Sequence, residues 1–433
     1  MTTYILGFSA LYHDSAASLI IDGKISCAVQ EERFTRVKHD SSFPINSIKF
    51  ILDSHNISFS DISYVVFYDK PFLKFERILE SYLSQIPYGF NSFKKSMPIW
   101  LKEKLFLKNI LIKEFKTLDK KFDQKKLLFS NHHFSHAASA FYPSPFNEAV
   151  VLTLDGVGEW ATTTVAIANK KKLQIKKEIN FPHSLGLLYS AFTYYCGFRI
   201  NSGEYKLMGL APYGKPLYKD KILNNLIDLK DDGSFKLNME YFDYVSGLKM
   251  INKKFIKLFG QKERKPDVDE INQFHMDIAS SIQIVIEEVI LKIVKNIRKE
   301  YNIENLCLAG GVALNCVANG KIQKEKIFKN IWIQPASGDA GGSIGAALGV
   351  WHSYLKNEKQ NTSDVMSGSY LGTEYSNTET YKILEDLGAK FIKYDNFSDL
   401  VKNIAKEISM EKAVGWFQGK MEFGPRALGN RSI

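Results

Sequence analysis

The chain has 433 residues, is 45% hydrophobic and 24% charged, and carries a formal net charge of +10. That is an ordinary globular composition with enough apolar residues for two or three domains, and no uncharged run reaches the ~20 residues a membrane helix needs. The four cysteines, Cys27, Cys196, Cys307 and Cys316, sit in apolar settings without C-x-x-C spacing. This argues against a disulfide framework or a zinc knuckle and makes them expected core residues.

Residues 1–8 enter a strand-like run directly rather than a signal peptide, so a cytoplasmic location and no membrane partner are expected. The opening YILGFSALYHDSAASLIIDGKISCAVQEERF reads as strand, Gly-containing turn, strand, Asp22-Gly23 hairpin turn and strand, joining residues 17–21 to 25–29. Residues 46–55 are amphipathic, and 62–71 read as a buried strand. Across 93–126 lysines punctuate an apolar-periodic pattern and hold much of the excess charge. Arginines and aromatics do not interleave with them, so this is a solvated helix face and nucleic acid is not an expected partner.

NHHFSHAASAF follows at 131–141. On a helix, His132 and His136 stack on one face, where two imidazoles can grip one divalent ion. For a pair alone the alternative is a capped or packed helix, but three histidines within five residues favour a metal. The anionic partner is Asp155, at the carboxyl end of the buried strand AVVLTL.

From 149 the opening architecture returns: AVVLTLDGVGEWATTTVAIANKKKLQIKKEI gives strand, small-residue turn, strand, polar turn at Asn169 and strand. Two such units, each followed by helices, predict an α/β protein of two facing subdomains, about 1–148 and 149–355, with a cleft between their first hairpins. This is the logic of the actin-like, ribonuclease-H-like ATPase fold. The two hairpin turns, 9–15 and 156–162, are rich in small residues that let backbone amides approach an anion, and Gly156 and Gly158 are the expected nucleotide contacts in the second.

Residues 182–198 read as a helix, and NSGEYKLMGLAPYGKP at 201–216 as a Gly-punctuated binding loop carrying Glu204 and Lys206 among apolar neighbours; a plain surface loop is the alternative. Residues 269–300 hold the strongest helix pattern and no chemistry. NLCLAGG then ends a buried strand on Gly310 and Gly311, which open a helix suited to a nucleotide, with Asn315 in reach of ribose or base. A second strand, IWIQP, leads to SGDAGGSIGAALG and places Asp339 at another strand-to-helix turn. His132, His136, Asp155 and Asp339 would offer two nitrogens and two carboxylates to a ferrous or similar divalent ion.

Residues 356–368 are polar and aperiodic, hence a linker. Beyond them 369–433 start a new unit: a helix at 380–388, a strand at 389–395, a helix at 397–410 and a strand at 413–419. A unit this small, stopping at apolar Ile433, is expected to be a fragment of a domain.

Nine motifs stand in order along the chain: HDSAA, EERFTRVKHD, HHFSHAASAF, LDGVGE, PHSLGLLY, GEYKLMGLAPYG, LAGGVALN, SGDAGGSIGAA and EFGPRALGNRSI. Together they resemble the O-carbamoyltransferase family that includes the nodulation, tobramycin and cephem carbamoyltransferases, over essentially the whole length. The resemblance implies an actin-like transfer domain at 1–355 and, from 369, the N-terminal part of a YrdC-like α+β domain that activates carbamoyl phosphate. ATP and carbamoyl phosphate would give carbamoyladenylate, and a hydroxyl of a small sugar or antibiotic-like acceptor would take the carbamoyl group. The metal would grip the adenylate phosphate; Lys38 would add positive charge near the carbamoyl or phosphate oxygens, and His13 matches the acceptor-contacting histidine. Either His13 or Asp155 is the expected base.

In the second part the resemblance assigns carbamoyl phosphate to Arg426 and Arg431, whose guanidinium forks match phosphate. Lys420 stands where the family usually has arginine and supplies only a point charge. The family also continues past Arg-Ser-Ile, so weak donor activation is expected here. A homodimer is left open. The rival functions are a tRNA threonylcarbamoyl-transfer enzyme in the same cleft and a non-catalytic nucleotide-binding protein.

Overall fold

The computed structural model describes residues 2–101 and 105–433. Among these residues the strands are β1 (Tyr4–Ser9), β2 (Ala16–Ile21), β3 (Lys24–Gln30), β4 (Tyr64–Phe67), β5 (Leu127–Phe129), β6 (Glu148–Leu154), β7 (Ala161–Asn169), β8 (Leu173–Asn180), β9 (Ile227–Leu229), β10 (Phe235–Leu237), β11 (Asn305–Ala309), β12 (Asn330–Ile333), β13 (Trp416–Phe417) and β14 (Arg431–Ser432).

Two five-stranded sheets carry the fold, in the orders β3-β2-β1-β4-β5 and β12-β11-β6-β7-β8. In each, three antiparallel strands joined by hairpins are continued by two parallel strands: β4 and β5 beside β1, and β11 and β12 beside β6. The same order and sense twice over is the duplicated arrangement of the actin-like ATPase fold. The Asp22-Gly23 turn forms between β2 and β3 with both residues in the left-handed region (φ 46° and 83°), the backbone that a two-residue hairpin requires.

Side chains alternate across β6. Ala149 and Val151 join the core between the sheets, while Val150, Leu152 and Leu154 join a second core under the long helix Gln273–Tyr301. Burial on both faces is why residues 149–152 of this strand are apolar without a break. Helix Asp339–Gly349 is buried along its whole length and lies against β1 and against helix His132–Phe141. Gly345 permits that approach, since a Cβ there would stand 1.7 Å from the Ser135 carbonyl oxygen.

Several elements differ from the sequence reading. Residues 201–216 hold a helix, Glu204–Leu210, and a 3-10 turn, Ala211–Tyr213, rather than a loop; Gly203 stands at the N-cap and Glu204 in the first turn, where an acid suits the helix dipole. Residues 389–395 form no strand, because no neighbouring strand pairs with them among the described residues, and 413–419 contribute only the two-residue β13, paired with β14. Cys27, Cys196 and Cys307 are buried, but Cys316 is exposed at the first position of helix Cys316–Lys324.

Residues 357–372 run from the second sheet to the first: Lys359 N–H donates to Lys170 O in the β7–β8 turn, Val365 N–H to Pro143 O, and Leu371 O accepts from Ala28 N–H of β3, with Met366 and Leu371 buried. Beyond them the helices Asn377–Asp386 and Phe397–Ser409 bury no residue, and Leu387, Val401 and Ile408 stay exposed. Among the described residues no helix is long and apolar enough to cross a membrane.

Candidate metal centre

The parallel strands β6 and β11 end where the helices at 132–141 and 339–349 begin. His132 and His136 project from one helix face, and their Nε2 atoms stand 3.1 Å apart. Asp155, the first residue after β6, brings Oδ2 to 2.9 Å from His132 Nε2 and 3.7 Å from His136 Nε2. Asp339, the first residue of its helix, holds Oδ1 at 3.6 Å from each imidazole. All four ligand atoms lie within 4.8 Å of one another.

These separations match those of ligands around one metal ion. Bonds of ~2.1 Å to nitrogen and oxygen place neighbouring ligands ~3.0 Å apart at right angles and ~3.4 Å apart at a tetrahedral angle. The observed spacings fall around those edges, so two imidazoles and two carboxylates suit a borderline divalent ion. His132 Nδ1 and His136 Nδ1 are buried with no hydrogen-bond partner among the described residues, so both rings take their direction from the Nε2 side. His133 points away to Thr153 Oγ1 (2.7 Å); burial, then the neighbouring His132, pushes its pKa down to about 3, and it is neutral packing rather than a ligand.

Charge balances inside the cluster. Burial raises the Asp155 carboxyl, yet contacts from His132 and His136 hold it well below the usual range. Burial likewise lowers His136, and Asp155 and Asp339 overcome it, raising the imidazole to about 9.

Each carboxylate is held from a different side. Asp155 Oδ1 accepts from Gly311 N–H (3.0 Å), so the glycine loop after β11 is tied to the acidic turn after β6. Gly310 makes that loop possible with φ 88° and its α-carbon against the Leu154 carbonyl, where a Cβ would come within 2.2 Å. Asp339 Oδ2 accepts from Tyr68 Oη (3.1 Å) and lies 3.8 Å from His13 Nε2. His13 Nδ1 meets Asp14 Oδ2 at 3.0 Å, and Asp14 Oδ1 meets His39 Nδ1 at 2.7 Å. Leu11, Asp14 and His39 all take positive φ, so strained backbone clusters where His13 is presented.

The remaining expected residues are spread around this centre. Gly158 packs beside His132 and His133, whereas Gly156 faces open space. Asn315 is occupied: its amide pairs reciprocally with Gln283 (3.0 and 3.1 Å) and its Oδ1 caps Ala318 N–H. Glu204 accepts from Ser190 Oγ and Asn201 N–H, and Lys206 is exposed. Lys38 is exposed with Nζ 5.2 Å from the Tyr205 ring, outside the ligand cluster. Arg426 donates to Leu314 O (3.0 Å), at the end of the Gly311–Leu314 turn, and Arg431 pairs with Glu422 (3.3 Å) and donates to Gly424 O. Lys420 is exposed.

Sequence reasoning missed Asp14, Tyr68, Lys74, Arg77 and Glu159. Glu159 accepts from His132 N–H through both oxygens (3.0 and 3.1 Å) and from Lys70 N–H, fixing the start of the histidine helix. Its signal was the second acid of LDGVGE; the signal for Tyr68 was a polar Tyr-Asp pair closing an apolar strand.

Residues 4–348 match the family described as Carbamoyltransferase N-terminus, and 405–433 match Carbamoyltransferase C-terminus. An uncharacterised protein of Synechocystis sp. is 57% identical over all of this chain, which spans 71% of that protein. Nodulation protein NolNO of Sinorhizobium fredii is 34% identical over 97% of this chain, which spans 58% of its length. Among solved structures, HypF of T. kodakarensis is 14% identical, with a TM-score of 0.42 over 82% of this chain and 48% of that one.

Proposed function

Because the chain belongs to the carbamoyltransferase family, we propose that it moves a carbamoyl group from carbamoyl phosphate, through carbamoyladenylate, to a hydroxyl of a small sugar or antibiotic-like acceptor. The observation that carries this reading is the convergence of His132, His136, Asp155 and Asp339, with His13 held at the far oxygen of Asp339.

In the donor half, water cleaves carbamoyl phosphate to carbamate and phosphate, and a carbamate oxygen displaces pyrophosphate from the α-phosphorus of ATP. Lys420, Arg426 and Arg431 are the proposed phosphate contacts. In the transfer half, the acceptor oxygen attacks the carbamoyl carbon, the bond from that carbon to the phosphate oxygen breaks, and AMP leaves. His13 Nε2 is the proposed atom that handles the acceptor proton: Asp14 orients its other nitrogen, whereas Asp155 is already committed to two imidazoles and Gly311. The glycine turns at 156–158 and 310–311 are proposed to flank the nucleotide, with Gly156 N–H as the donor, since Gly158, Gly310 and Gly311 N–H already donate to Ala161 O, Ser337 O and Asp155 Oδ1, and with Lys38 adding charge near the carbamoyl oxygen. A divalent ion between the four ligands, which we read as ferrous, supplies Lewis-acid stabilisation of charge on the adenylate phosphate when bound. A cytoplasmic setting supplies both co-substrates.

The test is to incubate the full chain with ATP, carbamoyl phosphate and Fe(II), and to follow carbamoyladenylate and carbamoylated acceptors by mass spectrometry across a panel of hydroxylated compounds. Asp339→Ala should abolish transfer. Undiminished transfer in that variant would remove this centre from the reaction.

A further inference from the structure

Beside the ligand cluster, on the Asp339 side, helix Pro71–Leu83 turns Lys74 and Arg77 to one face. Lys74 is buried, pairs with Asp69, and sets its ammonium 5.4 Å from the Tyr68 ring centre and 5.6 Å from that of Tyr12. Tyr12 packs its ring 4.3 Å from the His13 imidazole and is 50% exposed. A ladder of cation and aromatic ring thus leads outward from Tyr68, whose hydroxyl holds Asp339, to an open tyrosine face beside His13.

Arg77 closes this wall and differs from Lys74 in having no carboxylate within ion-pair distance among the described residues, although Glu159 and Asp69 lie near enough to favour its charge. Its guanidinium lies 5.0 Å from the Phe181 ring centre, and its Nη1 is buried with no hydrogen-bond partner among the described residues. Burial pulls its pKa down to about 10, so it keeps its charge at neutral pH. A buried guanidinium nitrogen without a partner is costly, and the Arg77 side chain is otherwise half-buried with no other hydrogen bond among the described residues. With one face against an aromatic ring and Nη1 turned inward, the remaining guanidinium N–H groups stay available to a carboxylate or phosphate.

Resting on the carbamoyl-transfer reading, we propose that Tyr12, Lys74, Arg77 and Phe181 form an acceptor subsite for a sugar-like hydroxyl compound bearing an anionic group, with that group bound by Arg77. The Tyr12 and Phe181 rings offer apolar faces for the C–H surface of a sugar ring. The acceptor, rather than the nucleotide, belongs here because the glycine loop proposed for the nucleotide reaches the centre through Asp155, whereas this wall reaches it through Asp339 and His13. An acid held at Arg77 would lie along the same wall as His13.

Isothermal titration of the full chain with two matched pairs tests this: glucuronate against its neutral methyl ester, and glucose 6-phosphate against glucose, with AMP as a third arm. We expect at least one acid to bind about tenfold more tightly than its neutral partner, the size of one charge-assisted contact. Arg77→Gln should erase that preference and Arg77→Lys should keep part of it, both with unchanged AMP affinity and thermal unfolding near that of the parent; Arg77→Lys alone decides the matter if Arg77→Gln does not fold. Equal binding of acids and neutral partners, or none by any of them, overturns the proposal, as does a preference that survives both substitutions. If Arg77→Gln weakens AMP as much as the acids, the anion site belongs to the nucleotide and the proposal fails. No turnover is involved, so this outcome stands apart from the carbamoyl-transfer assay.

Discussion

His132 Nε2 and His136 Nε2 face each other at 3.1 Å, one helical turn apart, with both side chains buried. Two imidazoles so placed either share a proton or direct both lone pairs at one cation. Burial lowers His136, but Asp155 and Asp339 raise it to about 9, so without metal a proton occupies the place a metal would take. Binding of a divalent ion near pH 7 should therefore release about one proton from this imidazole, and affinity should fall about tenfold per pH unit below that. Calorimetric titration with Mn(II) or Co(II) in buffers of different ionisation enthalpy reads the proton count; a count of zero would mean the pair is already neutral.

The same imidazole sets how the metal-free chain responds to alkali. The folded pKa of His136 lies above its ordinary value of 6.5, so its stabilising contribution is complete below about 6.5 and is lost as pH rises through about 9. For His13, burial again lowers the imidazole, but the charge of Asp339 and the bond to Asp14 raise it to about 9, so it acts with the same sign. The melting temperature of metal-free protein should fall between pH 6.5 and 9, and His136→Asn should flatten that fall. A melting temperature that rises over this interval would contradict the charge balance.

What the sequence made legible was the set of positions where strands end and helices begin. Asp155 and Asp339 could be found because AVVLTL and IWIQP are apolar runs that stop abruptly at small, polar residues, and that edge is where a sheet exposes chemistry. The pairing of His132 with His136 follows from helical periodicity alone. Residues 389–395 misled because an apolar segment can read as a strand whether or not another strand lies beside it, and pairing is a tertiary fact. Glycines at 203, 209 and 214 suggested a loop at 201–216, yet Glu204–Leu210 is helical, since one interior glycine costs only about 1 kcal/mol. Arg77 and Lys74 were illegible because nothing local distinguishes a cation that faces the cleft from one that faces water.

Asp14 should matter as a positioning residue. Its two oxygens take Nδ1 of His13 and Nδ1 of His39, which leaves His13 Nε2 directed at Asp339. Asp14 adopts φ 55°, a conformation asparagine tolerates, so Asp14→Asn spares the backbone while removing one acceptor. We expect carbamoyl transfer to fall on the order of a hundredfold, the scale of a misplaced proton-transfer group, with metal content unchanged and a shifted pH profile. Full activity with an unaltered profile would reduce Asp14 to a structural contact.

Gly345 tests whether helix packing sets the metal geometry. A Cβ at this position would lie 1.7 Å from the Ser135 carbonyl oxygen, and a backbone carbonyl inside a helix cannot rotate away. The helices at 132–141 and 339–349 would have to separate, and between them they carry three of the four ligands, His132, His136 and Asp339. Alanine is favoured over glycine in a helix by about 1 kcal/mol, but overpacking of this kind costs about 1–3 kcal/mol or more. Gly345→Ala should therefore destabilise the chain and weaken metal binding together. Gly209→Ala is the control: at that helical glycine an added methyl group would meet nothing within 4 Å, and the change should leave stability equal or slightly higher. Thermal unfolding with metal analysis on both variants decides it. Intact metal content in a clearly destabilised Gly345→Ala would mean the ligands hold their geometry without that packing.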